Sequence, residues 1–306
     1  MCKYMNIYEE TWMKYYLGYE EPSCLVRIGP MGSGKTSAVD KFLENHLKIS
    51  SKNYMLIDID NMVVKSNEYQ KGLAGLGRGA TAEQLNNLWY DTATEIKAYE
   101  MRDNITLKII NKKRNYSVES TGNYFCPNKE LLWKNFTNGY RMIIIFPFVT
   151  FKELVDRVRK RATVEGRNVD VDSLKENYIN AYKKIFRIIS LPVDFYLIDN
   201  MVSSGEVPTL LASTNFNRKS DATDCIKGNL DIAKIVTILT DLNVSNEDMK
   251  IKSSLFTFFN TLVKYIDPNA LADLPSLNIL SGGGSKYKKK YETYKKKYLE
   301  LKKSIN

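Results

Sequence analysis

"CLVRIGPMGSGKTSAVDKFL", residues 24–43, decides how the rest of the chain is read. An apolar, β-branched run (24–28) leads straight into "GPMGSGKT" (29–36), and "TSAVDKFLENHL" then takes on a helical spacing. Two glycines flanking four variable positions, followed by Lys-Thr, make a phosphate-binding loop when a strand precedes them and a helix follows. The physical need is for many donors aimed at a polyanion with no side chain in the way. Gly29, Gly32 and Gly34, with Ser33 between the last two, supply the loop. Lys35 is placed to reach the β- and γ-phosphates, the Thr36 hydroxyl is placed to hold Mg²⁺, and the following helix adds its positive end.

Outward from the loop, short apolar runs alternate with helix-like stretches, which predicts a doubly wound α/β domain. The strand candidates are 24–28, "YMLIDI" (54–59), "YSVES" (116–120), "RMIIIFPF" (141–148) and "DFYLID" (194–199). Helical candidates fall near 34–47, 82–113, 128–138, 151–164 and 172–189. The expectation is a P-loop kinase-type parallel five-stranded sheet flanked by helices, over residues 21–200. Residues 1–20 read as an N-terminal helical segment. After Asn200, "SSGEVPTLLASTNFNRKSDATDC" reads as loop, and apolar-periodic segments near 229–242 and 246–266 predict a helical extension over 201–280. A glycine-rich linker and a tail helix fill 281–306.

Composition narrows the chemistry. Four cysteines are scattered without paired spacing, which speaks against a zinc site or disulfide framework and fits a reducing compartment. The single histidine, His46, leaves no second histidine for a metal cluster. No run approaches the ~18 apolar residues of a membrane span, and the N-terminus lacks the apolar core of a signal peptide. These features predict a soluble cytoplasmic protein. The net charge of +10 is concentrated: from Lys286 onward nine lysines face two glutamates, leaving about +3 on the rest. In that tail Tyr287, Tyr291, Tyr294, Tyr298, Leu301 and Ile305 form one apolar stripe on a lysine-coated helix. It suits a partner or tethering helix best, ahead of nucleic-acid contact or a solubilising tail.

Two acids end strands beside the loop. "LIDIDNMV" carries Asp58 and Asp60, which share strand parity if the strand continues. Either could take the proton of an attacking alcohol, and Asp60, at the strand's end, is better placed to reach it. "VESTG" carries Glu119, followed by hydroxyls including Thr121, a grouping suited to holding a polar substrate. After the fourth strand, "RVRKRATVEGRNVD" places Arg157 and Arg161 one turn apart and Arg167 beyond a glycine. Arginines there can clamp the charge that spreads over a transferring phosphoryl group.

Together "GPMGSGKT", "LIDIDNMV", "VESTG" and "RVRKRATVEGRNVD" make residues 22–200 resemble the zeta-toxin family of P-loop kinases. The resemblance implies ATP and Mg²⁺ as cofactors and transfer of the γ-phosphate to a hydroxyl. In the bacterial toxins the acceptor is an amino sugar on a uridine nucleotide. It implies Lys35 and Thr36 as the loop lysine and metal-binding threonine, Asp60 as base and Glu119 as substrate holder. Arg157 or Arg161, together with Arg167, would be the clamps. The chain departs from the family after the base, in "DNMVVKSNEYQKG", and in the glycine-rich "KGLAGLGRGAT" (71–81), both where an acceptor would sit. A nucleoside or polynucleotide 5′-hydroxyl kinase would use the same parts, and a nucleotide-binding interaction module would use the loop alone. The tail also resembles lysine–tyrosine segments of large cytoplasmic DNA viruses, which implies a viral source in host cytoplasm or virion.

Overall fold

The computed structural model describes residues 21–77, 79–121, 130–165, 170–189, 191, 193–203, 205–216 and 226–277. The segments 1–20 and 281–306 and the residue Arg167, all singled out in the sequence, lie outside the described residues. Among those described, one seven-stranded sheet runs in the order β2-β3-β1-β4-β5-β6-β7. Its strands are β1 (Ser23–Ile28), β2 (Met55–Ile57), β3 (Tyr116–Ser120), β4 (Arg141–Phe148), β5 (Asp194–Asp199), β6 (Thr209–Phe216) and β7 (Ile226–Leu230). The first five are mutually parallel, and β6 and β7 add antiparallel. The expected five-stranded parallel sheet is therefore corrected to seven strands of mixed direction.

The missed strand β6 reads TLLASTNF, with Ser213 and Thr214 buried. Small hydroxyl residues disguise it as loop in the sequence, yet they fit a strand whose pairing on both sides satisfies the backbone. The helices α1 (Ser37–Phe42), α2 (Ile59–Val64), α3 (Asn67–Leu76), α4 (Ala82–Glu95), α5 (Ala98–Asn111), α6 (Glu130–Thr137), α7 (Phe151–Glu165), α8 (Val171–Ile189), α9 (Ile232–Val244) and α10 (Met249–Ile266) cover the sheet. The helix expected over 82–113 is two helices, broken at Lys97, which adopts a left-handed φ of 52°. The β-branched Thr92, Thr94 and Ile96 just before the break are weak helix formers.

Strand alternation sorts the core into two faces. Leu25 of β1 joins Ile143, Ile145 and Ile198 under Val39 and Phe42 of α1. Cys24, Val26 and Ile28 point the other way, into the larger core with β4, α8 and α10. That core is aromatic: Phe146 and Tyr182 lie 5.0 Å apart between centroids, Tyr182 and Phe258 also 5.0 Å, and Phe148 and Phe259 5.5 Å. Edge-on ring pairs of this kind add to area burial. The Tyr178 hydroxyl donates to the Val149 carbonyl at 2.7 Å, so its polar end is satisfied. Phe258 and Phe259 come from α10, so the C-terminal helices complete the main core. Among the described residues no helix is long and apolar enough to cross a membrane.

Candidate active site

β1 ends at Ile28, and its neighbours β3 and β4 bracket the loop that follows. The Gly29 N–H donates to the Ser120 carbonyl at 3.2 Å, which ties the loop's entry to the end of β3. Gly32 and Gly34 both adopt φ +81°, the left-handed region that favours glycine. Space forbids side chains as well: a Cβ on Gly32 would come 2.7 Å from Val158 Cγ2 of α7, and one on Gly34 2.5 Å from Asn200 Nδ2. The loop thus lies directly beneath α7 and against the end of β5. The Ser33 hydroxyl is buried with no hydrogen-bond partner.

Lys35 folds back onto the loop, its Nζ donating to the carbonyls of Gly29 at 3.1 Å and Pro30 at 3.0 Å. Burial pushes its ammonium below the ordinary lysine value, while Glu119, Asp60 and Asp58 pull it upward and Arg161 opposes them. Those four charged groups, from α2 and its cap, β3 and α7, therefore converge electrostatically on one lysine. Thr36 donates from Oγ1 to Glu119 Oε1 at 2.9 Å. Thr121 follows at the bend after β3 and is half-buried.

The strand expected over 54–59 stops at Ile57, which separates the two aspartates. Asp58 becomes the cap of α2, its Oδ1 accepting the Asp60 N–H at 2.9 Å and the Asn61 N–H at 3.4 Å. Its Oδ2 accepts Asn61 Nδ2 at 2.6 Å. A short carboxylate that satisfies the first N–H groups of a helix competes with strand continuation. The expected shared parity of Asp58 and Asp60 is thus replaced by a cap and a first-turn residue.

The two candidate clamp arginines of α7 differ. Arg157 is braced, its Nε donating to Glu153 Oε1 at 2.8 Å and an Nη2 to the Asn200 carbonyl at 2.7 Å. Arg161 is exposed, one turn further along.

Two residues absent from the sequence reading take part. Asn200 is buried at the end of β5, and its Nδ2 donates to the Ser33 carbonyl at 2.8 Å. Arg27 is buried within β1, with Nη2 2.8 Å from Asp40 Oδ1 of α1 and Nη1 3.6 Å from Glu119 Oε1. The signal for Arg27 was present: a guanidinium inside an apolar run has to find a partner. Among the described residues no cluster of three or more His, Cys, Asp or Glu side chains could hold a metal by itself.

No family model matches the sequence, and no curated protein matches it. Among solved structures, the chain is similar to one from the PezAT chromosomal toxin–antitoxin system of Streptococcus pneumoniae. The identity is 12%, over 86% of this chain and 96% of that one, with a TM-score of 0.45. It is also similar to the AvrRxo1-ORF1:AvrRxo1-ORF2 complex with ATP, at 11% identity over 85% of this chain and 84% of that one, TM-score 0.40. A native form of the same complex aligns at 13% identity over 87% and 82%, TM-score 0.41. Similarity of this size carries no argument about chemistry.

Proposed function

We propose that this chain is an ATP- and Mg²⁺-dependent P-loop kinase of the zeta-toxin type that transfers the γ-phosphate to a hydroxyl group. One observation carries the reading: at the end of the glycine loop the Thr36 hydroxyl meets the Glu119 carboxylate at 2.9 Å, while Lys35 Nζ is held against the loop's own carbonyls at 3.0–3.1 Å. The residues fit a polyphosphate, because the left-handed glycines leave room for it and the buried Ser33 hydroxyl is unpartnered. Lys35 exchanges two carbonyl acceptors for phosphate oxygens, a stronger, charge-assisted pairing. The donor set also fits Mg²⁺, which binds through one or two protein oxygens plus substrate phosphates rather than a protein cage. Thr36 Oγ1 and the Glu119 carboxylate would supply those oxygens, and the bound ion would neutralise charge on the phosphates.

The Asp60 carboxylate takes the acceptor hydroxyl's proton as that oxygen forms its bond to the γ-phosphorus. The bond from phosphorus to the bridging oxygen breaks, and ADP leaves. Arg161, and Arg167 with it, offset the equatorial charge, while Arg157 braces α7 against the end of β5. Thr121 and the residues from Asp60 through 81 face acceptor selection, with a nucleotide-linked amino sugar as the favoured class.

The test is transfer of label from radiolabelled ATP to uridine-nucleotide sugars, nucleosides and 5′-hydroxyl oligonucleotides, with Lys35→Ala as the blank. Labelled nucleotide sugar supports the reading in full. Label confined to oligonucleotide keeps the kinase and changes the acceptor. No product above the blank overturns it.

A further inference from the structure

Arg27 is a charge in the middle of a strand whose every residue is buried. Its Nε has no hydrogen-bond partner, so the site does not even satisfy the guanidinium fully. A buried ion pair of this kind is weak evidence for stability, since apolar residues of similar volume often replace one without loss. The residue therefore calls for an explanation other than packing. Its two carboxylate neighbours supply one: Asp40 on α1 anchors the guanidinium at 2.8 Å, and Glu119 on β3 lies at 3.6 Å. Arg27 and Glu119 are cross-strand partners in the β1–β3 register, so the backbone sets their spacing. The same Glu119 oxygen accepts the Thr36 hydroxyl at 2.9 Å. One carboxylate oxygen thus lies between a buried cation and the hydroxyl that would hold Mg²⁺.

We propose that Arg27 is a positioning residue that holds Glu119 against Thr36, so that Glu119 serves the Mg²⁺–nucleotide half of the site rather than the acceptor. The inference rests on the reading of the loop as a Mg²⁺–ATP site. It reassigns Glu119 from the substrate-holding role that the sequence suggested. Asp40 locks Arg27 to α1, so the loop helix, the loop's own strand and the acid-bearing strand move as one unit.

The test is calorimetric titration of the full chain with ATP, in EDTA and at graded Mg²⁺, for wild type, Arg27→Met, Arg27→Lys and Glu119→Gln. Loss of a residue that orients a metal-facing group costs about tenfold in metal affinity. Arg27→Met is therefore expected to raise the half-saturating Mg²⁺ about tenfold while metal-free ATP affinity stays within about twofold. Arg27→Lys recovers part of the loss, Glu119→Gln reproduces it, and the Arg27→Met/Glu119→Gln double variant adds nothing further. Equal weakening with and without Mg²⁺, or additive shifts in the double variant, overturns the proposal. Should Arg27→Met fail to fold, Arg27→Lys decides by the same comparison, and an unchanged Mg²⁺ dependence overturns it. If wild type binds no ATP, the kinase reading falls and takes this inference with it; Mg²⁺-stimulated binding that ignores Arg27 sinks this inference alone.

Discussion

The two sides of the candidate site are built differently. On the proposed nucleotide side, the loop is tied to two strands and a helix: Gly29 to the end of β3, Gly32 under α7, and Ser33 to Asn200 at the end of β5. Its supporting residues, Leu25, Val39, Phe42, Ile143 and Ile145, are buried in the sheet's core. The opposite side hangs on β2, a three-residue edge strand whose Met55 and Leu56 are 56% and 41% exposed. Helices α2 to α5 there share a separate small core of Val63, Tyr69, Ala93 and Ala98. The contrast teaches that the proposed polyphosphate half is preorganised by the whole domain, whereas the half bearing Asp60 rests on the small core of an insert, α2–α5 between β2 and β3, tied to the main core through Met62, Ile105, Ile109 and Ile110. A loop that must discriminate nothing but phosphate benefits from rigidity. An acceptor-selecting region is free to vary because little else depends on it.

Four experiments break or sharpen that comparison. The largest effect is expected from Asp60→Asn. With the proton acceptor gone, kcat should fall by about 10²–10⁴-fold while ATP affinity, read by calorimetry, stays at the wild-type value. Unchanged turnover would remove Asp60 from the chemistry. Next, Tyr69→Ala empties the insert's core, where Tyr69 is only 4% exposed, and should cost about 3 kcal/mol of the insert's stability. Hydrogen exchange should rise across α2–α5 and leave β1 and α1 protected; protection lost in both regions would mean that the two sides are one unit. Gly34→Ala works on the other half, forcing a Cβ to 2.5 Å from Asn200 Nδ2 at a φ of +81°. It should cost about 1–3 kcal/mol and abolish ATP binding, and a variant that binds ATP normally would refute the close-fitting cradle.

The smallest effect concerns pH. Burial holds Lys35 below its ordinary value of 10.5, so between the two values the unfolded chain binds more protons than the folded one. Stability should rise with pH across that window, and ATP affinity should fall as the ammonium neutralises. In Lys35→Met the stability slope from this group disappears. A wild-type denaturation midpoint independent of pH in that range would contradict a lowered Lys35 ammonium.

Local signals carried the sequence reading a long way where one interaction dominates. β4 and β5 are continuous apolar runs, each fully or almost fully buried, and their extents match the expected ones to the residue. α7 and α8 likewise fall within a residue of their expected spans, because helical periodicity persists over many turns. Legibility fails where partners distant in sequence decide. Nothing in "TLLASTNF" announces a strand until β5 lies alongside it. Nothing in "LIDID" ends the strand at Ile57 until Asp58 turns to cap α2.

By itself the sequence determined the strand–loop–helix at 24–43 and the acids that end the second and third apolar runs. Those follow from backbone conformations that glycine alone tolerates and from periodicities read within one segment. Only the tertiary structure decided that Glu119 meets Thr36, that Arg27 stands behind Glu119, and that Arg157 is spent on Asn200. Each is a polar contact across tens of residues, made because buried charges and amides must find partners that strand order alone brings near.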